Sequence, residues 1–478
     1  MKKVLIALIL LLGVTLTTTS CSKEEVNSFA VPAGSILVSM PGESGYTTFD
    51  TFNIASIVPT SVPEGWSVDN IDLYKGTITV TAPSSFEGEE VEEGTLSLTG
   101  YTPLGIANSL SIYVAILPNA DVDYCDAPAN CYIANKPKTR FKFNGMVGGN
   151  ATPLATSQVK ILWQSSYELI KYLDLRDGVV RFYLDEVEED EKPTGKVKPG
   201  NALIGGYDEN DELLWSWHIW VTNSDPTADV ITLGGKSLMN INLGGDTNSK
   251  GATDEQEILN GYGLYYQWGR KEPFVGPYSY NFGGNRDHQI FNAKGGDERI
   301  VYTETAAEVS NVEYATANPL SILLGNKDNG YDWLYDQHDD SLWAGATKSE
   351  QDPCPAGWRV PEISVFESLT ITAKDDAMAW EEAQPMYGWW LEDTTNGATH
   401  FFSAAGRRNY LDGRLDNMND DSFLPVPWSG YYWTRTVDGA NAKALYFDLN
   451  TETRTWNGID TSHSMQRANA LPIRCVKE

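Results

Sequence analysis

The sequence is poor in the side chains that carry most metal and nucleophile chemistry. Five histidines and five cysteines are spread over 478 residues. The histidines stand at 218, 288, 338, 400 and 463, and no H-E-x-x-H pair sets two of them on one helical face for zinc. No C-x-x-C occurs, which removes thioredoxin-type redox motifs and common zinc sites. No G-x-S-x-G presents a nucleophilic serine, and no Walker loop or dinucleotide fingerprint is present to cradle phosphates. Basic residues are scarce beside acidic ones: 35 Lys and Arg against 65 Asp and Glu give a formal charge of −30. Such a surface repels phosphate backbones, so nucleic acid is not an expected partner. The leading apolar run, Val4 to Val14, is eleven residues, too few to span a bilayer as a mature helix.

That run is informative in another way. Lys2 and Lys3 precede it, and small residues follow it to Cys21. Charge, apolar stretch and small residues in that order read as a signal peptide over residues 1–20. Thr-Thr-Ser-Cys21 resembles a relaxed bacterial lipobox, which implies lipid attachment at Cys21 and an outer-membrane lipoprotein with a membrane lipid anchor. Ser22-Lys-Glu-Glu25 resembles the acidic tether that sends some Bacteroidetes lipoproteins to the cell surface, and residues 21–30 read as that tether. Four cysteines then remain: Cys125, Cys131, Cys354 and Cys475. An even number outside the cytosol suggests two disulfides, with three pairings open. Cys125–Cys131 would close a short local loop, and Cys354–Cys475 would tie the middle of the last domain to the chain end.

The length suggests about three domains. Residues 31–118 alternate in short β-rich runs, clearest at Ile36–Met40, Gly65–Val68, Thr77–Thr81, Gly94–Leu98 and Ser109–Val114, at the spacing of an immunoglobulin-like sandwich. Residues 119–225 form a second β-rich module. There, Ala202–Asp208 and Leu213–Val221 read as a hairpin turning at Asn210-Asp211. Period-two alternation puts Trp215, Trp217, Ile219 and Val221 on one face and Ser216, His218 and Trp220 on the other. His218 has no partner at motif spacing and reads as a structural histidine.

The last domain is organised around Asp352-Pro-Cys-Pro-Ala-Gly-Trp-Arg-Val-Pro361, whose three prolines and glycine fix much of the backbone. Ser364-Val-Phe-Glu367 then reads as a capping box opening a helix over 362–372, with further helical patterns near 253–262 and 375–384. The motif resembles the signature of the Fibrobacter succinogenes major paralogous domain, found in Bacteroidetes surface lipoproteins. Gly263–Pro273, Tyr314–Pro319 with Tyr331–Trp333, and Pro472–Val476 match its other segments in order. The resemblance covers residues 226–478. It implies an α+β C-type-lectin-like or formylglycine-generating-enzyme-like fold and no defined activity. The copper-binding cysteines of those enzymes are missing from His463–Arg467, and Trp456-Asn-Gly458 lacks the aspartate of lectin calcium sites. Asp208–Glu212 and Asp416–Asp421 are rich in carboxylates, but neither matches a twelve-residue calcium loop, and both read as solvated turns.

The fold expected is therefore multidomain: two N-terminal all-β sandwich-like modules followed by an α+β C-type-lectin-like domain. The function expected is non-enzymatic recognition, with an adhesin or module binding a glycan or a host or bacterial surface protein, and no cofactor or metal. The alternatives are a structural fimbrillin-like subunit or assembly tip and, third, a formylglycine-generating-enzyme-like enzyme. Ligand contacts are expected on the C-terminal loops, at Trp428, Tyr431, Tyr432, Arg435, Arg454, Trp456, Asn457, Asp460, His463 and Arg467. Flat aromatics, Arg and Asn are the side chains that interfaces favour. Trp433, in the strand-like stretch Tyr431–Thr434, reads as core.

Overall fold

A computed structural model describes residues 27–31, 35–38, 42–83, 93–116, 122–190, 192–278, 287–371, 388–416, 429–450 and 455–478. The first module is a β-sandwich. One sheet has the strand order Ser35–Val38, Ala107–Ile116, Glu93–Tyr101, Ser56–Ser61, and the other Ser44–Thr48, Thr77–Thr81, Ser67–Asp72. The alternation of Thr77-Ile-Thr-Val-Thr81 shows why: Ile78 and Val80 go inward and the threonines outward. They meet Leu96, Leu98, Ile112, Val114 and Trp66 in one core. The four-plus-three layering is immunoglobulin-like.

The expected hairpin forms as strands Gly200–Tyr207 and Leu213–Val221. They sit inside a six-stranded sheet that also takes Cys131–Ala134, Gln158–Gln164, and two short strands from beyond residue 226, Ile290–Phe291 and Asp297–Glu298. Both faces of this sheet are covered. Tyr132, Trp215, Trp217, Ile219 and Val221 pack towards Phe141, Phe143 and Phe182 of a four-stranded sheet. Cys131, Ile133, Leu203 and Trp220 pack the other way, into a core with Trp268, Trp333, Trp343, Cys354 and Cys475. The strand Leu213–Val221 is buried on both faces because it serves two cores at once. His218 shares the Trp220 face, fully buried. Its Nε2 is 2.8 Å from Asn201 Oδ1, and its Nδ1 is 3.5 Å from the Tyr266 hydroxyl. Burial lowers its pKa to about 3, so the ring is neutral and structural.

In the last domain strands are short. Helix Glu255–Asn260 forms where the pattern near 253–262 predicted one, capped by Asp254 through the amides of Gln256 and Glu257. The helix expected over 362–372 does not form. A single 3₁₀ turn, Ile363–Val365, is followed by strand Leu369–Ile371, paired with Gly388–Asp393. Glu362 makes no side-chain cap, and the alternation Leu369-Thr-Ile371 buries both apolar residues against Phe366 and Leu391. Tertiary packing here outweighs the local capping signal. The pattern at 375–384 lies outside the described residues.

The expected bridge between Cys354 and Cys475 is present, with Cα atoms 6.0 Å apart. The one expected between Cys125 and Cys131 is not: both are free thiols. Strand parity explains this. Tyr132 must face the second module's core, where its ring stacks on Phe143, so Cys131 is turned into the opposite core. Cys125 stays beside Asp123, and burial pushes its thiol up to about 11, helped by the hydrogen bond to that carboxylate.

The proline-rich motif is held from three sides. Asp352, buried, accepts the amides of Cys354 and Val360 at 2.9 Å each. Lys348 donates to the carbonyls of Cys354, Pro355 and Trp358. Asn130 of the second module reaches the carbonyls of Glu350 and Asp352.

Candidate ligand-binding surface

Strands Ser429–Asp438, Asn441–Asn450 and Thr455–Gln466 form a three-stranded antiparallel sheet. Its register pairs Tyr431 with Tyr446, Tyr446 with Asp460, and Ala444 with His463. Alternation splits its residues. Tyr432, Leu445 and Phe447 enter one core, while Tyr431, Trp433, Ala444 and Met465 line the other face. At the margin of that second face the rings form a row. Tyr431 and Tyr446 have centroids 4.9 Å apart, and Tyr446 and His463 4.6 Å apart with planes inclined 26°. The Arg407 guanidinium lies 5.3 Å from the Tyr431 centroid. Tyr431 anchors the row from within the protein, Tyr446 is half-buried, and the His463 side chain is 34% exposed.

Carboxylates flank the row. Asp460 Oδ2 lies 3.2 Å from His463 Nδ1, and its Oδ1 accepts the amide of Ser462 at 2.9 Å. Asp448 accepts the Ser429 hydroxyl at 2.8 Å. Burial first, then Tyr431 and Asp448, push the Tyr446 hydroxyl well above the ordinary phenol range, so it stays a neutral hydrogen-bond donor. The arrangement is chemically simple: flat π-faces, a cation at one end, an imidazole at the other and carboxylates alongside. It can pack an apolar molecular face and hydrogen-bond hydroxyls.

The ten expected contacts divide. Asp460 and His463 are on this surface. Tyr431 is its buried base, 6% exposed, rather than an exposed contact. Tyr432 is a correction: its side chain is fully buried, and its hydroxyl donates to the Ser403 carbonyl at 2.8 Å. Arg467 is a second correction. It is buried with its guanidinium 4.3 Å from the Trp268 centroid, and it ion-pairs with Asp340 at 2.5 Å. Nearby, the His338 imidazole bonds the buried Asp332 carboxylate at 2.8 Å. Arg435 is structural too, donating to the Gly345 carbonyl at 3.0 Å and pairing with Glu362 at the end of the proline-rich motif. Trp456 and Asn457 lie on strand Thr455–Gln466, Trp456 in register with Leu449; their side chains, with Trp428 and Arg454, lie outside the described residues. Trp433 is core, as its strand position predicted.

Sequence reasoning passed over Tyr446 and Arg407. Tyr446 carried a usable signal, because Leu445-Tyr-Phe447 alternates and a tyrosine between two core residues must face away from them. Arg407 carried none. Among the described residues, no group of three or more His, Cys, Asp or Glu could hold a metal. The Asp208 carboxylate is spent on its own turn, accepting the amides of Asn210 and Glu212.

No family model matches this sequence, and no curated protein does. Among solved structures, the D00-D0 domain of Intimin aligns at 10% identity over 41% of this chain and 96% of that one, with a TM-score of 0.18. A protein of unknown function from Porphyromonas gingivalis W83 aligns at 13% identity over 40% and 98%, with a TM-score of 0.17. The SGBP-B protein of a Bacteroides ovatus mixed-linkage glucan utilization locus, solved with a mixed-linkage heptasaccharide, aligns at 9% identity over 38% and 42%, with a TM-score of 0.12. Likeness at these scores carries no argument about fold or function.

Proposed function

We propose that this chain is a non-enzymatic lipoprotein of the outer membrane, displayed on the cell surface, whose C-terminal domain recognises glycans. The observation that carries the reading is the row Tyr431, Tyr446 and His463, with centroids 4.9 and 4.6 Å apart and carboxylates at its side. A pyranose ring has an apolar C–H face that packs on such rings, and its hydroxyls need polar partners such as the Asp460 carboxylate beside them. The resemblance of residues 226–478 to the Fibrobacter succinogenes major paralogous domain, with its C-type-lectin-like fold, belongs to the same reading. It is supported by the convergence of the motif segments on one core, where Tyr266 pairs with Leu471 and Cys354 bonds Cys475.

Two experiments test the two halves. Wild type and the double variant Tyr446→Leu, His463→Ala are applied to a combined glycan and surface-protein array. Glycan signals lost in the variant are expected; equal signals would refute the site. For the anchor, Cys21→Ala is expected to move the protein from the membrane to the soluble fraction and to abolish fatty-acid labelling. Undiminished labelling would refute lipidation.

A further inference from the structure

Three sheets end at one cleft. Strand Ser44–Thr48 is the last of its three-stranded sheet in the first module. Strand Lys171–Arg176 is the last of the four-stranded sheet in the second. Strand Gln158–Gln164 pairs along its length with Gly200–Tyr207, but on its other side it meets only Phe291, at Gln164. Between these strands lies a cleft of about 630 Å³. That is within the size range of ligand sites, and module junctions are a common place for them.

The lining shows how the strands meet this space. A strand that turns one face to a cavity contributes every second residue. Here consecutive residues line it: 46–50, 157–161 and 173–175. The strands are therefore edge-on, and backbone as well as side chains borders the cleft. Among the described residues, the outer edge of 158–163 has no strand partner, so its N–H and C=O groups are a template for one. The edge opposite is already engaged. The Tyr46 hydroxyl donates to the Leu175 carbonyl at 2.5 Å, and Arg176 Nη1 donates to the Ser44 carbonyl at 3.2 Å. These two bonds join the modules and fix the walls before any ligand enters.

Side chains add a floor and a charge. Val159 and Ile161, then Leu173 and Leu175, are half-buried at period-two spacing and pack against the second module's core. Lys75 and Lys294 line the cleft and are exposed. Each sits on a fastened turn: Asp72 accepts the Lys75 amide and Asn292 the Lys294 amide, both at 3.0 Å. Neither has an ion-pair partner among the described residues. The third lysine is engaged: Asp211 holds Lys160 at 2.5 Å, over the Tyr207 ring at 4.7 Å from its centroid. Asp50 and Asp174 are the carboxylates of the lining. Lysines thus outnumber acids three to two here, in a chain where acidic residues outnumber basic ones 65 to 35.

From these observations we propose that the cleft binds an extended peptide with acidic side chains, added as a strand along residues 158–161. Its backbone takes the open N–H and C=O groups of that edge. Alternate apolar side chains rest on Val159, Ile161, Leu173 and Leu175, and the carboxylates between them meet Lys75 and Lys294. Main-chain pairing supplies the affinity, and the lysines select acidic sequences over basic ones. Five residues, 157–161, extend roughly 16 Å, so the segment recognised is about four to six residues long. The aliphatic floor and the open strand edge favour a peptide over a sugar. The cleft shares no residue with the row of rings, so it is a site additional to that one.

The test uses the chain from residue 21 to 478, carrying Cys21→Ser so that no acyl chain contributes. The probes are fluorescent hexapeptides alternating glutamate with valine, leucine or isoleucine, read by anisotropy. Two control sets carry lysine for glutamate, or N-methyl groups on alternate backbone amides. The variants are Lys75→Glu with Lys294→Glu, on exposed turns, and Thr48→Trp, which puts a ring into the cleft from an exposed position. Acidic peptides are expected to bind wild type. Their Kd is expected to rise about tenfold or more on N-methylation and in both variants, at unchanged thermal midpoint. Hydrogen exchange of the 158–161 amides is expected to slow on adding the acidic peptide. Failure of every acidic peptide to bind overturns the proposal. Equal binding of the N-methylated forms also overturns it, reducing the cleft to a trap for anions. So does self-association in sedimentation velocity that Thr48→Trp abolishes without any peptide binding, which makes the cleft a contact between copies.

Discussion

The side-chain amide of Asn130 donates to the backbone carbonyl of Asp352, 222 positions later, at 2.9 Å. The same nitrogen reaches the Glu350 carbonyl at 2.6 Å, and its Oδ1 accepts the Trp215 indole at 3.0 Å. One buried asparagine thus locks the proline-rich motif to the second module. Asn130→Ala leaves one indole N–H and two carbonyls without this partner inside the protein. A loss of about 3 kcal/mol is expected in urea unfolding. A change under about 0.5 kcal/mol would show that water replaces the amide freely.

The disulfide from the same motif is the second test. Closing a loop over 121 positions stabilises by about 4 to 5 kcal/mol on the chain-entropy model. Reduction is expected to lower the thermal midpoint by several degrees. Non-reducing peptide mapping should recover Cys354–Cys475 and leave Cys125 and Cys131 as thiols. Native alkylation at neutral pH should be slow at both, because Cys131 is buried and the Cys125 thiol is held near 11. A recovered Cys125–Cys131 peptide would contradict the strand parity described above.

These two cysteine pairs show what the sequence could carry. The bridge to the chain end joined two motifs that both converge on one core. The failed bridge rested on nearness in sequence, and nearness is decided by which face Tyr132 takes. The hairpin Gly200–Val221 was legible because its alternation is long and its turn polar. The helix over 362–372 was misread because Val365, Phe366 and Leu369 fit a helical face as well as they fit a turn followed by a strand. The candidate surface was only partly legible. Asp460 and His463 lie at the row of rings, whereas Tyr432 and Arg467 have partners from distant segments, Ser403 and Trp268, that no local pattern announces.

His218 makes stability depend on pH. Its folded pKa of about 3 lies below the unfolded value near 6.5. The unfolded chain therefore takes up a proton first as pH falls, and stability present above pH 6.5 is lost progressively towards pH 3. At pH 4.5 this amounts to roughly 2 to 3 kcal/mol. In His218→Gln, the drop in stability between pH 6.5 and 4.5 is expected to shrink by that amount relative to wild type. Parallel curves for the two proteins would contradict the neutral, buried imidazole.

Glycan recognition by the stacked row is the central claim, and isothermal titration with the strongest array glycan tests it most directly. Tyr446→Leu keeps an apolar side chain in the half-buried position but removes the ring on which His463 lies. His463→Ala removes the exposed end. Each is expected to raise Kd about tenfold or more while the thermal midpoint stays within a few degrees of wild type. Binding by both folded variants within about twofold of wild type would contradict the account.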